Sequence, residues 1–193
     1  TVKHRIGIDG LEHFDDLLNF VDTVASKGST HFIVHARIAI LAGLSPKENR
    51  EVPPLRYTDV YRLKQDRPNL TIEINGGIKT VDEIVGHWQH TDGVMIGREA
   101  YHNPYLLTQA QMLWGATELP SRADILQAYL PFVEKELANG VPLNQITRHI
   151  LGLFLGMPGG RRFRQVLSTR AHLPGAGLDV LRDAVAQTDI SIE

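Results

Sequence analysis

The sequence predicts an α/β fold in which half of a TIM (β/α)8 barrel, residues 1–104, is followed by an all-helical domain, residues 105–193. Three observations predict it. Short apolar strands alternate with helical periods through the first half of the chain. Glycine signals, Asn75-Gly76-Gly77 and Gly97-Arg98, stand where two of those strands end. Beyond Asn103-Pro104 the strand pattern stops and only helical segments follow.

Taken in order, residues 2–8 read as a strand with an unusually polar start, Lys3-His4-Arg5. Residues 14–25 carry apolar side chains at 14, 17, 18, 21, 24 and 25, a helical period. The apolar run 32–35 is the second strand; it delivers His35, and Arg37 two residues on, beneath a long, charged, proline-broken loop. A short helix over 58–64 leads to a third strand, 70–74, that ends at Asn75-Gly76-Gly77. Thr80 with Glu83 three residues later is a capping-box pattern opening the next helix. The fourth strand, 93–96, runs into Gly97-Arg98. Four such units are half of an eight-unit barrel, and a half barrel would leave sheet edges and an apolar inner face open. The chain is therefore expected to be part of a longer polypeptide. In the second half, helices are expected over 105–114, from a Ser121 cap to Asn139, and over 143–156, 161–168 and 178–188.

The formal charge of −2 on 193 residues excludes a strongly basic coat protein. Locally, however, residues 122–172 hold seven Lys or Arg against three acids, an excess suited to a polyanion. Cysteine is absent, which excludes disulfides, thiolate metal sites and a cysteine nucleophile within this chain. No run approaches the length of an apolar membrane span and the start lacks a signal-peptide pattern, so no membrane association and a cytoplasmic setting are expected.

Several side chains carry chemistry. Glycines let backbone N–H groups approach an oxyanion, and the helix after Asn75-Gly76-Gly77 adds its terminal dipole. Gly97-Arg98 repeats the arrangement one βα unit later with a guanidinium suited to phosphate. Barrels commonly hold phosphate at consecutive late strands, so the pair points to a phosphate-bearing cofactor at one end of the sheet. His35 can donate to such a cofactor or bond a neighbouring loop. Lys3 on a central strand calls for a charged partner or ligand unless the start of the chain frays. The run Lys47-Glu48-Asn49-Arg50-Glu51 fits a solvated loop or a nucleic-acid contact. In Arg161-Arg162-Phe163-Arg164 the arginines can meet phosphates with Phe163 stacking, or face water with Phe163 packed. Trp88 and Trp114 are assigned to cores, His87 and His90 to solvent, and no metal site stands out.

The segments VKHRIGID, FIVHAR, GLSPKENREVPPL, INGGIK, DGVMIGREAYHNP and HILGLFLGMPGGRRFRQVLS follow one another with a shared order and spacing. Through them the chain closely resembles the C-terminal part of the tRNA-dihydrouridine synthase family, nearest its DusA-like bacterial group. The resemblance implies the C-terminal half of an FMN-binding TIM barrel followed by a helical tRNA-binding domain. It implies that Lys3 and His35 contact the flavin, and that Asn75, Gly76, Gly77, Gly97 and Arg98 surround its phosphate end. It further implies that Arg37, Lys47 and Arg50 line the RNA side of the site and that Arg161 and Arg164 meet the tRNA backbone. In the family, NADPH reduces FMN, which passes hydride to uracil, while a cysteine acid supplies a proton; D-loop uridines at tRNA positions 20 and 20a are the targets. Ile38 stands where a basic residue is expected after His35-Ala36-Arg37.

The family's cysteine belongs to the earlier barrel half, so the chain is expected to lack synthase activity alone and to need the N-terminal half of the same protein. Two other classes fit the residues: a tRNA-binding module without catalysis, and a phosphate-binding barrel enzyme acting on a small metabolite. Retention of FMN separates the synthase reading from the first, and salt-sensitive tRNA binding separates it from the second.

Overall fold

The computed structural model describes residues 1–189. They divide into two compact units, one spanning Thr1–Gly97 and one from Arg98 onward.

The first unit alternates strands and helices: β1 (Val2–Ile8), α1 (Phe14–Ala25), β2 (His31–Ala39), α2 (Tyr57–Asp66), β3 (Thr71–Asn75), α3 (Val81–Trp88) and β4 (Gly93–Met95). The strands form one parallel sheet in the order β1-β2-β3-β4. Alternation along the strands sorts the side chains onto two faces. Phe32 and Val34 of β2 and Ile72 and Ile74 of β3 are fully buried, together with Val21 of α1 and Val60 and Leu63 of α2. Each such side chain contributes roughly 1.5–3 kcal/mol by leaving water. The opposite face carries Lys3, Arg5, Ile33, His35, Glu73, Asn75 and Met95, which share rungs in the strand register. The helices begin as their sequences dictate: Glu83 N–H donates to Thr80 Oγ1 at 3.1 Å, and the Glu83 carboxylate accepts from Thr80 N–H in return.

The second strand is longer than the apolar run predicts. It continues through His35 and Arg37 to Ala39, so both residues lie within a strand and not beyond its end. β3 stops at Asn75, opposite His35, and from there β1 alone pairs with β2. The register shifts there, because Arg5 opposes His35 but Gly7 opposes Ile38, leaving one extra residue in β2. Bulges of this kind re-aim side chains beside functional sites.

In the second unit the described residues form helices and turns with no strand: α4 (Glu99–His102), α5 (Tyr105–Ala110), α6 (Arg122–Ala138), α7 (Leu143–Thr147), α8 (Gly160–Arg170) and α9 (Leu178–Val185). Leu126, Leu130, Ile146, Phe154, Phe163 and Leu181 are among the side chains of its core, with Phe154 and Phe163 edge to face at 4.6 Å. The helix expected over 143–156 ends at Thr147. Successive short turns replace it, with Ile150, Leu153, Leu155 and Met157 each donating to the carbonyl three residues back. Close backbone approach explains the break: a Cβ at Gly152 would lie 2.0 Å from the His102 carbonyl oxygen. The helix expected over 105–114 likewise tightens into a 3-10 turn, Gln111–Trp114. Trp88 and Trp114, expected in cores, are 38% and 70% exposed, respectively. No helix among the described residues is long and apolar enough to cross a membrane.

Candidate functional site

Asn75, Gly76 and Gly77 form the turn that closes β3. Gly76 has φ 120° and Gly77 φ 75°, values that side chains rarely allow. Three residues wall the turn. A Cβ on Gly76 would come within 3.1 Å of Leu55 and 3.3 Å of His35 Nε2. One on Gly77 would come within 2.7 Å of Leu55 and 3.0 Å of the Tyr57 hydroxyl. The imidazole of His35 therefore stands directly beside the glycine turn. Asn75 does a different task from its glycines: its side-chain amide donates to the Met95 carbonyl at 2.7 Å and ties the ends of β3 and β4 together. Gly97 follows β4, and an added Cβ there would meet Asn75 Nδ2 at 3.8 Å, an ordinary contact that a side chain could make without strain. Arg98 is exposed and opens α4, its carbonyl accepting from the Tyr101 and His102 N–H groups at 3.0 Å. Lys3 is exposed on the same sheet face as His35. Within the first unit, the Lys3 and His35 side chains and the backbone amides of the glycine turn are donors suited to an anionic or carbonyl-bearing ligand.

The long loop after β2 is strapped down by polar side chains, two of them buried. Arg5 donates to the carbonyls of Ile38 and Asn49, each at 2.8 Å. Burial lowers the Arg5 guanidinium below its usual value, and the nearby Arg37 and Arg50 charges add to the effect. Asn49 is buried and sits at the loop's centre, accepting from Ile40 N–H at 2.8 Å and donating to the Ile40 carbonyl at 2.6 Å. Arg37 is buried as well; its guanidinium donates to the carbonyls of Glu51 and Pro53. Arg37 thus grips the loop from below, whereas Lys47 and Arg50 are exposed on it. Asp9 accepts from Leu41 and Ala42 N–H at 2.7 and 3.2 Å, fixing the loop's first turn.

A second layer backs the glycine turn. Tyr57 donates its hydroxyl to the Gly76 carbonyl at 2.7 Å. The Tyr57 ring meets His87 edge-on at 4.4 Å, and His87 Nδ1 shares a 2.7 Å hydrogen bond with the Tyr61 hydroxyl. His87, read from sequence as solvent-exposed, is buried instead; burial lowers its pKa and raises that of Tyr57. His90 does remain exposed, stacked on Tyr61 at 4.3 Å.

Among the residues not singled out from sequence, Arg5 had one available signal, since two-residue alternation places it on the face of Lys3. Asn49, Leu55 and Tyr57 had none, because their roles depend on contacts across the fold. A hollow of about 320 Å³ lies elsewhere, along β1 and α1, and is lined largely by apolar side chains including Ile6, Leu17 and Phe20.

In the second unit, Arg161, Arg162 and Arg164 are exposed on α8 while Phe163 is fully buried in the core. The aromatic therefore packs and the arginines face water. Among the described residues no group of three or more His, Asp or Glu is placed to hold a metal ion.

Residues 1–188 match the family model described as dihydrouridine synthase. The chain is 53% identical over 189 residues to a tRNA-dihydrouridine(20/20a) synthase of Xanthomonas campestris, covering 98% of this chain and 56% of that protein. It is 53% identical over 194 residues to the protein of that name from Shewanella oneidensis, covering 98% and 58%. A Synechocystis relative with the same name is 53% identical over 187 residues, covering 96% and 56%. The chain thus spans somewhat over half the length of these relatives.

Proposed function

The chain belongs to the tRNA-dihydrouridine synthase family, in its DusA-like group, and from that premise we propose that it is the FMN- and tRNA-binding C-terminal part of a synthase that reduces D-loop uridines at positions 20 and 20a, with NADPH as reductant. The observation that carries the reading is the glycine turn at Gly76-Gly77 with His35 against it, on a sheet face that also bears Lys3. Such a donor-rich end of a parallel sheet fits a flavin mononucleotide: backbone N–H groups for the phosphate, an imidazole and an ammonium for the ring's polar edge. Gly97 carries no Cβ that would crowd an approaching phosphate, and Arg98 is the cation we assign to the phosphate end.

FMN supplies hydride chemistry when bound. The chain's own part is to bind and orient. Lys3 and His35 hold the ring, and the two glycines present their amides to the phosphate. Arg5, Asn49 and Arg37 brace the loop that carries Lys47 and Arg50 to the RNA, and we assign Arg37 to that bracing role within the RNA side. Arg161 and Arg164 meet the tRNA backbone by charge. The target uridine must leave its stack to reach the ring, as in base flipping. The proton donor, a cysteine, lies outside this cysteine-free chain, so we assign the chain no catalytic residue and no turnover alone. The proposed architecture is the C-terminal barrel half, 1–104, with a helical tRNA-binding domain, 105–193, working in the cytoplasm with the remainder of the polypeptide.

Titrating the chain into FMN, with riboflavin as the phosphate-free control, tests this. Saturable binding with FMN preferred supports the reading. A folded chain that binds neither, or binds both equally, overturns the phosphate site in this chain. Dihydrouridine formed by this chain with FMN, NADPH and unmodified tRNA would overturn the assignment of catalysis to an external cysteine.

A further inference from the structure

We propose that Tyr57 is a positioning residue for the phosphate-binding turn, setting the cofactor's phosphate selectivity without touching the cofactor. The inference rests on the reading of Asn75-Gly76-Gly77 as the phosphate seat. Two consecutive residues with positive φ are flexible by composition, and glycine gives up more conformational freedom on ordering than any other residue. Something must therefore fix which way their peptide groups point. The Tyr57 hydroxyl does this at the Gly76 carbonyl, 2.7 Å away. With that carbonyl drawn onto the phenol, the peptide plane between Gly76 and Gly77 is set, and the Gly77 N–H points away from the phenol.

The phenol itself is held in place. Its ring is half-buried and rests edge-on against buried His87 at 4.4 Å. His87 is fixed in turn by the 2.7 Å hydrogen bond to Tyr61. The hydroxyl is also close enough to Gly77 that a methyl group there would sit 3.0 Å from it. The tyrosine thus acts as both a hydrogen-bond donor and a wall. Because α2 supplies Tyr57 and Tyr61 while α3 supplies His87, the turn's conformation is tied to the docking of two helices behind the sheet.

The test compares FMN and riboflavin binding to the unaltered chain, Tyr57→Phe and Tyr61→Phe, alongside urea midpoints for all three. Removing the Tyr57 hydroxyl is expected to weaken FMN about three- to tenfold, the range for one lost hydrogen bond, while riboflavin affinity stays within twofold. Tyr61→Phe, which loosens His87 but leaves the bond to the Gly76 carbonyl in place, is expected to lower the FMN-to-riboflavin ratio less than Tyr57→Phe does; an equal or larger drop would overturn the direct role of the Tyr57 hydroxyl. Equal losses for both ligands in Tyr57→Phe, or no loss for either, overturn the positioning role. A Tyr57→Phe chain that fails to fold also overturns it, since the hydroxyl would then serve the fold as a whole. If the unaltered chain shows no preference for FMN, the phosphate reading itself falls, and that outcome is separate from a preference that survives Tyr57→Phe.

Discussion

Two glycines at neighbouring strand ends answer different constraints, and substituting each separates fold from ligand. Gly77 has φ 75° and no room, with Leu55 2.7 Å from an added Cβ. Gly77→Ala is expected to destabilise the chain by at least about 1–2 kcal/mol in urea denaturation, from the backbone term alone. Gly97 has room, its nearest neighbour being 3.8 Å away. Gly97→Ala should therefore shift stability by less than about 0.5 kcal/mol and, on the proposed phosphate site, weaken FMN binding by adding a methyl on the cofactor side. Unchanged FMN affinity in Gly97→Ala would remove Gly97 from the site. Histidine chemistry sets a pH dependence at the same scale. Burial lowers the pKa of both His4 and His87 below the ordinary value of about 6.5. The unfolded chain then binds more protons than the folded one, so this stability is complete above about pH 6.5 and is lost as pH falls through the folded values. Urea midpoints are expected to drop between about pH 7.5 and pH 5, and less so in His87→Gln; a flat profile would contradict the burial effect.

At the scale of elements, the parts legible in the sequence are those set by local chemistry. The period of residues 14–25 gives α1 to the residue, Thr80 and Glu83 form the capping box, and Ser121 caps α6 by accepting from Asp124 N–H at 3.1 Å. Ser121→Ala is accordingly expected to cost about 1 kcal/mol in thermal or urea unfolding. The misread elements are those that distant partners decide. β2 runs on to Ala39 because β1 continues to pair with it and because carbonyls of the following loop receive Arg37. The apolar stretch after Thr147 reads as helix, but Gly152 and its neighbours are drawn against the His102 carbonyl, a contact fifty positions away in sequence. His87 looks like a surface histidine until α2 brings Tyr57 and Tyr61 against it. The candidate site divides the same way: its glycines are visible at strand ends and Lys3 and His35 as polar residues on β1 and β2, whereas the contacts of Tyr57, Leu55 and Asn49 become visible only with the fold.

For the whole molecule, the mild net charge of −2 conceals a local excess of cations, seven Lys or Arg against three acids over residues 122–172. Exposed arginines on α8 accompany a buried Phe163, so the second unit presents charge without an aromatic platform at that helix. Binding of tRNA through this surface should be electrostatic and weaken steeply with salt. Replacing Arg161 and Arg164 together with alanine is expected to weaken tRNA binding at every sequence and to lower the salt slope by roughly one per lost contact, with FMN binding unchanged. A slope equal to that of the unaltered chain would take both arginines out of the interface.

The sheet order β1-β2-β3-β4 has a consequence for how such a chain comes into being. Each strand pairs with the one before it: Val2 with Phe32, Phe32 with Ile72, Ile74 with Val94, separations of 30, 40 and 20 residues. No strand must wait for a partner made much later. As the ribosome extends the chain, each new strand of this sheet with its helix can dock on the edge left by the one before it. Because the entropic cost of closing a loop grows only with the logarithm of its length, the 20- to 40-residue separations differ by only about 0.6 kcal/mol per doubling in closure cost. Assembly of this sheet can therefore proceed strand by strand in the order of synthesis, ending with the three-residue β4.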